Sequence, residues 1–145
     1  MQARYDVSSV EGTWEVARKF AEELKPGDVV CLEGDLGAGK TTFTQGLAAA
    51  LGAKRAVTSP TFCIVVEHPT EKMLLVHMDL YRLHDADDVL AIGWEDYPPQ
   101  TSMTGKPCAS IISHMCSRVS ATQQKSTSIS VSCQSYALTV RYSER

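Results

Sequence analysis

The sequence predicts an α/β fold, a mostly parallel sheet flanked by helices, and three consecutive segments lead to that expectation. The first, Asp28-Val29-Val30-Cys31-Leu32-Glu33, is an aliphatic, β-branched run opened by the turn signal Pro26-Gly27, as expected of a short buried strand. The second, Gly34-Asp35-Leu36-Gly37-Ala38-Gly39-Lys40-Thr41, satisfies the pattern G-x-x-x-x-G-K-[ST]. The third, Thr41 to Leu51, carries Phe43, Leu47, Ala50 and Leu51 at helical spacing, and Gly52 stands where a C-terminal cap belongs. Strand, glycine loop and helix in that order make the unit of a P-loop NTPase-like fold.

Each fixed position of the loop has a physical task. The glycines let backbone N–H groups turn inward around a triphosphate. Lys40 reaches the β- and γ-phosphates, and the Thr41 hydroxyl is placed to ligate Mg²⁺. The helix N-terminus adds its own partial positive charge to the anion site. A glycine-rich turn with an incidental lysine explains neither neighbour.

Length and composition set the bounds. A chain of 145 residues suits one domain with a real core, small for a P-loop enzyme. Its longest apolar runs, such as Phe62 to Val66, are too short to span a membrane. No basic segment followed by a long apolar run opens the chain, so no secretory signal is expected. Five cysteines, odd in number and never spaced C-x-x-C, argue against a disulfide framework and a zinc site. Cys31 and Cys63 read as small hydrophobes in strands. A cytoplasmic protein is expected.

The net charge of −3 conceals an asymmetry. Residues 1–97 hold 9 basic and 16 acidic side chains, whereas residues 98–145 hold 5 basic ones and a single acid, Glu144. Serine rises from three to eleven across the same boundary, near Pro98-Pro99. The first part shows no basic stripe with interleaved aromatics, so strong direct nucleic-acid binding is not indicated.

The remaining elements follow from pattern. Thr13 is a good N-cap for a helix reaching Leu24, with Trp14, Ala17, Phe20, Ala21 and Leu24 as its inner stripe. Two apolar strands, Phe62 to Glu67 and Met73 to Asp79, flank the polar turn His68 to Lys72 and make a hairpin. Asp87 to Tyr97 reads as a short helix offering Val89, Leu90, Ile92 and Trp94 for packing.

Two further segments carry chemistry. Asp79 follows an apolar run about forty residues after Lys40, which suits a Walker-B carboxylate holding Mg²⁺ directly or through water. An ordinary exposed strand-end aspartate is the plainer alternative, weakened by the loop upstream. Thr58-Ser59-Pro60-Thr61 offers hydroxyls where many NTPases sense the γ-phosphate, Thr61 or Ser59 being the candidates, against a simple proline turn. His77 and His84 read as structural. The chain contains no asparagine, so a guanine-reading Asn-Lys-x-Asp segment is missing and adenine is favoured by elimination.

The stretches Gly34 to Phe43, Thr58-Ser59-Pro60-Thr61-Phe62 and His77-Met78-Asp79-Leu80-Tyr81-Arg82-Leu83 together closely resemble the bacterial TsaE (YjeE) family. Gly93-Trp94-Glu95-Asp96-Tyr97 is similar to the helix that follows the family's Walker-B acid, and the resemblance spans residues 8 to about 97. It implies an ATP- and Mg²⁺-dependent ATPase required for threonylcarbamoyladenosine at the adenosine 3′ of the anticodon, in tRNAs reading codons that begin with A. The implied partners are TsaD, which transfers the threonylcarbamoyl group, and TsaB; tRNA is met through their complex. ATP binding and slow hydrolysis would reset that complex between turnovers. By the same resemblance Gly37, Ala38, Gly39, Lys40, Thr41 and Thr42 cradle the phosphates, and Thr41 ligates Mg²⁺. Asp79 is the Walker-B acid, Thr61 belongs to a switch-like loop, and Thr13 lies near the adenine.

The C-terminal third departs from the family. Members continue into an apolar strand ending in Glu-Trp, whose glutamate serves the metal and hydrolysis site. Here Pro98 to Cys108 has no such character, and no Glu-Trp follows Tyr97. A central strand and one catalytic carboxylate are therefore expected to be missing, with nucleotide binding retained or weakened and hydrolysis impaired. The tail has three readings: a divergent ending, a disordered extension, or a frameshift, which the abrupt change in serine and acid content favours. Ile111-Ile112, Ile129-Ser130-Val131 and Tyr136 to Val140 are its candidate strands. Two rival functions stand beside the ATPase: a P-loop kinase for a small metabolite, and a nucleotide-gated binding module with little hydrolysis.

Overall fold

The computed structural model describes residues 2–34, 37–59, 64–79 and 91, together with the backbone of residues 108–114, 128–132 and 137–142. Over these the order is β1 (Gln2–Val7), α1 (Val10–Glu23), β2 (Val29–Glu33), α2 (Lys40–Ala50), β3 (Val65–Pro69), β4 (Leu74–Asp79), β5 (Cys108–His114), β6 (Ser128–Ser132) and β7 (Ala137–Tyr142). The chain is thus of mixed α/β class. The helix expected over 87–97 lies, but for Ala91, outside the described residues.

The seven strands form one sheet in the order β1-β7-β6-β2-β5-β4-β3. Pairing is parallel for β1–β7, β2–β5 and β4–β5 and antiparallel for β2–β6, β3–β4 and β6–β7. The mostly parallel sheet is therefore corrected to a mixed one. Two sequence-adjacent pairs, β3–β4 and β6–β7, are joined by short connections that allow only antiparallel neighbours. The β3–β4 hairpin was expected, but its turn is shorter: His68 and Pro69 still pair, opposite Leu75 and Leu74. Thr70 closes the turn, its N–H and hydroxyl both donating to the Met73 carbonyl while its Oγ1 accepts the Met73 N–H.

The expectation of a missing central strand is also corrected. Cys108–His114 occupies the place between β2 and β4, parallel to both. A central ladder is made by backbone groups and tolerates any run with sufficient β propensity; Ile111-Ile112 supplies it. The three candidate strands of the tail all form, each longer than its apolar nucleus.

The first helix begins earlier than Thr13. Ser9 is the N-cap, with extended φ −147° and ψ 165°, and its Oγ accepts the Gly12 N–H at 3.1 Å. Thr13 lies one turn inside, fully buried, because the inner stripe is Thr13, Val16, Ala17, Phe20, Ala21 and Leu24. Trp14 falls one position off that stripe and is 38% exposed, not an inner residue.

That stripe packs on α2 through Phe43, Leu47, Ala48 and Leu51, with Phe20 and Phe43 edge to face at 5.9 Å. Closest approach is at Gly46, where a Cβ would lie 2.9 Å from the Trp14 Cα and 3.1 Å from the Ala17 Cβ. A side chain there would push the helices apart. Leu51 caps α2, and Gly52 follows at φ +87°, as the helix-ending glycine was expected to. Beneath the helices Val30, Leu32 and Leu75 are fully buried in β2 and β4. Cys31 is a half-buried free thiol; burial, then the nearby Glu33, raise its pKa. No helix among the described residues is long and apolar enough to cross a membrane.

Candidate functional site: a phosphate loop between two strand ends

β2 ends at Glu33 and the chain turns at once into the glycine loop. Gly37 has φ +79° and Gly39 φ +98°, conformations that a Cβ penalises and glycine does not. A Cβ at Gly37 would meet nothing within 4 Å, so the backbone conformation, not crowding, calls for glycine there. Gly39 is the N-cap of α2, and as a glycine it brings no side chain to cap the helix. The first turn of the helix faces the glycine loop, where the helix dipole favours negative charge.

Lys40 opens the helix and its side chain folds back across the loop, the Nζ donating to the Gly34 carbonyl at 2.6 Å. The bond joins the first residue of the glycine segment to its lysine and closes the loop into a ring. The Phe43 N–H donates to the Gly39 carbonyl at 2.9 Å, beginning the helical ladder. Ala38 is buried, while Gly39, Lys40, Thr41 and Thr42 are half-buried. One turn on, the Thr44 hydroxyl donates to the Lys40 carbonyl at 3.0 Å, and the Gln45 side-chain amide donates to the Val57 carbonyl at 3.0 Å. That second bond ties α2 to the segment leading into Thr58-Ser59.

Asp79 ends β4, half-buried. Its N–H donates to the Ile64 carbonyl at 2.9 Å, and Ile64 has φ +64°. Register places Asp79 relative to the loop: Leu32 and Asp79 both lie opposite Ser113, and Glu33 lies opposite His114. The parallel strands β2, β5 and β4 therefore end together, with Asp79 two strand spacings, about 10 Å, from the root of the loop. Lys40, Thr41 and Asp79 are thus brought to one edge of the sheet. Thr61, with Asp35 and Leu36, lies outside the described residues.

Thr13 is corrected as a cap: its hydroxyl donates to the Ser9 carbonyl at 3.3 Å from within α1. His77 is 1% exposed, and burial, then the neighbouring His68, lower its pKa to about 4. It is a neutral ring of the sheet interior at neutral pH, in keeping with a structural role. His68 lies diagonally across the hairpin, the two ring centroids 6.1 Å apart, and burial lowers its pKa as well. Ser9 and Ile64 escaped the sequence reading. Ser9 was legible, since it stands three residues before Gly12 and one before the helix; nothing in an isoleucine announces a positive φ.

The family model for the threonylcarbamoyl adenosine biosynthesis protein TsaE matches residues 7–105. This chain belongs to the TsaE family. Among TsaE relatives, the tRNA threonylcarbamoyladenosine biosynthesis protein TsaE of Aquifex aeolicus is 44% identical over 115 residues, covering 73% of this chain and 81% of the relative. The proteins of the same name from Bacillus subtilis and Streptomyces coelicolor are 47% and 54% identical over 91 and 71 residues. These matches cover 63% and 48% of this chain and 58% and 48% of the relatives, so the chain spans only about half of their length. The crystal structure of Bacillus subtilis YdiB superposes with a TM-score of 0.54 at 38% identity, over 73% of this chain and 60% of that one. The TsaE match takes in the glycine loop, Thr13, Thr61 and Asp79, and it stops before β5, β6 and β7 begin.

Proposed function

We propose that this TsaE-family chain is a P-loop NTPase-like, Mg²⁺-dependent ATP-binding protein of the cytoplasm. Its role would lie in threonylcarbamoyladenosine modification of tRNAs reading codons that begin with A, in concert with TsaD and TsaB. The observation that carries the nucleotide reading is the closed loop: Lys40 Nζ bonded to the Gly34 carbonyl at 2.6 Å, at an α2 N-terminus whose N-cap is Gly39.

The residues fit the nucleotide and its metal. Gly37 and Gly39 hold left-handed conformations that open a backbone cradle, and the lysine at its rim supplies one positive charge. Mg²⁺ keeps several of its own waters and asks for only one or two protein oxygens; the Thr41 hydroxyl and the Asp79 carboxylate are of that kind. When bound, Mg²⁺ neutralises charge on the phosphates.

In this reading Gly37 to Thr42 bind the phosphates and Lys40 exchanges the Gly34 carbonyl for phosphate oxygens. Asp79 is held at the strand end by its backbone bond to Ile64, and Thr61 senses the terminal phosphate. The only acidic side chain after Tyr97 is Glu144, near the end of the tail, so the segment that follows Tyr97 offers no carboxylate to align a water, and hydrolysis is slow. The modification role rests on the family and on the names of the relatives.

Bacteria depleted of their own TsaE and supplied with this chain provide the test, read as threonylcarbamoyladenosine per tRNA by nucleoside mass spectrometry. The proposal expects partial restoration, lost with Lys40→Ala. Restoration that Lys40→Ala leaves intact would remove ATP from the account. Phosphate transferred to a small acceptor in place of free phosphate would favour a metabolite kinase.

A further inference from the structure

β1 and β3 stand at the two ends of the sheet. Among the described residues β1 pairs with β7 alone and β3 with β4 alone. An edge strand presents a row of backbone N–H and C=O groups, a template for one more strand. β3 ends in Pro69, which has no N–H to offer and blunts that edge. β1 contains no proline.

The side chains of β1 alternate. Val7 lies in the core with Ala3 and Tyr5 packed against it, and the Lys19 Nζ of α1 sits 5.6 Å from the centre of the Tyr5 ring. That face belongs to the helices. Arg4 and Asp6 take the opposite face, both exposed, with the Arg4 Nε 3.8 Å from the Asp6 Oδ1.

Two copies of β1 can continue one sheet about a two-fold axis normal to it, which keeps each face on its own side. Opposed residues in an antiparallel pair share a face, so the residue at the axis meets its own copy. With the axis at Arg4 or at Asp6, like charges stand directly opposite each other, which is destabilising. With the axis at Tyr5, Arg4 stands opposite Asp6 of the second copy, twice over by symmetry, and Ala3 stands opposite Val7. The two charges that discourage other strands therefore accept this strand's own sequence, in one register.

We propose that β1 is a self-association edge, along which two copies of this chain join antiparallel about a two-fold axis at Tyr5. The interface lies three strand spacings, about 14 Å, from β2, the strand that leads into the glycine loop. Association is thus separable from the candidate nucleotide site.

Sedimentation velocity of the full chain over a concentration series tests it, with Arg4→Glu and Asp6→Arg as variants at exposed positions. The unaltered chain should show a monomer–dimer equilibrium that weakens with salt, because exposed charge pairs are screened. Each variant alone sets like charges opposite each other and should self-associate on the order of tenfold more weakly. Mixed in equal amounts the two variants regain opposite charges across the axis and should form a heterodimer. The double variant Arg4→Glu/Asp6→Arg should dimerise like the unaltered chain. Hydrogen exchange is the second readout: the backbone amides of β1 should gain protection as the dimer forms. A chain that stays monomeric at every concentration, a dimer that neither variant weakens, or a mixture no more associated than its parts overturns the proposal. So does β1 protection that is independent of concentration, since another segment of the same chain would then cover the edge.

Discussion

The carbonyl of Ile64 accepts the N–H of Asp79 at 2.9 Å, and it does so from a backbone with φ +64°. A β-branched residue in that region is a genuine outlier, with a cost of order 1–3 kcal/mol. The bond continues the β3–β4 ladder by one pair, beyond Val65 and Met78, and fixes the strand end that carries the candidate metal acid.

Substitution at Ile64 separates backbone from side chain. Proline locks φ near −65°, so Ile64→Pro should destabilise the fold by about 2–3 kcal/mol and weaken Mg²⁺-dependent ATP binding. Ile64→Gly accepts the positive φ and should keep the Asp79 amide protected in hydrogen exchange. Equal protection in the two variants would detach Asp79 from this contact.

Gly46 is where the two helices meet. Alanine is favoured over glycine in a helix by about 1 kcal/mol, yet a Cβ at this position would sit 2.9 Å from the Trp14 Cα. Overpacking should win: Gly46→Ala is expected to lower stability by about 1–3 kcal/mol, read as a fall in the urea midpoint at unchanged slope. A rise in the midpoint would mean that α1 and α2 stand farther apart.

The start of α1 gives a third test. Ser9 Oγ caps the helix, so Ser9→Ala should cost about 1 kcal/mol and Ser9→Gly only a few tenths. No difference between the two would return the cap to Thr13.

His77 links stability to pH. Its folded pKa, about 4, lies below the ordinary 6.5, so the unfolded chain binds the extra proton between those values. Its contribution is fully present above pH 6.5 and is lost as pH falls towards 4, amounting to about 2 kcal/mol by pH 5. His77→Leu should flatten the decline in urea midpoint between pH 7 and pH 5. An equally steep decline in the variant would place the titration elsewhere.

The parts legible in the sequence were those in which one local interaction dominates. The glycine loop, the apolar stripe of α2, Gly52 and the β3–β4 hairpin all follow from short-range pattern. The start of α1 was misplaced because Ser9 and Thr13 are both good caps, and only burial of Thr13 in the helix stripe decides between them. The sheet was misread for a different reason. β5 is selected by a vacancy between two distant strands, and a run with two adjacent isoleucines among serines gives little local sign of a central place. Ile64 was invisible because its conformation is imposed by the ladder to Asp79. The proposed origin of the tail in a shifted reading frame is checked on the coding DNA after Tyr97. A second frame encoding an apolar strand ending in Glu-Trp supports it, and no such frame in either direction refutes it.

The central claim is that the Lys40 loop binds a nucleotide. Calorimetric titration of the purified chain with ATP, with and without Mg²⁺, tests it most directly when Lys40→Ala is measured alongside. The account predicts saturable one-to-one binding, strengthened by Mg²⁺ and weakened at least about tenfold by Lys40→Ala, as expected for loss of a charged phosphate contact. Saturable binding of equal strength in Lys40→Ala, or no binding to the folded unaltered chain, would contradict it.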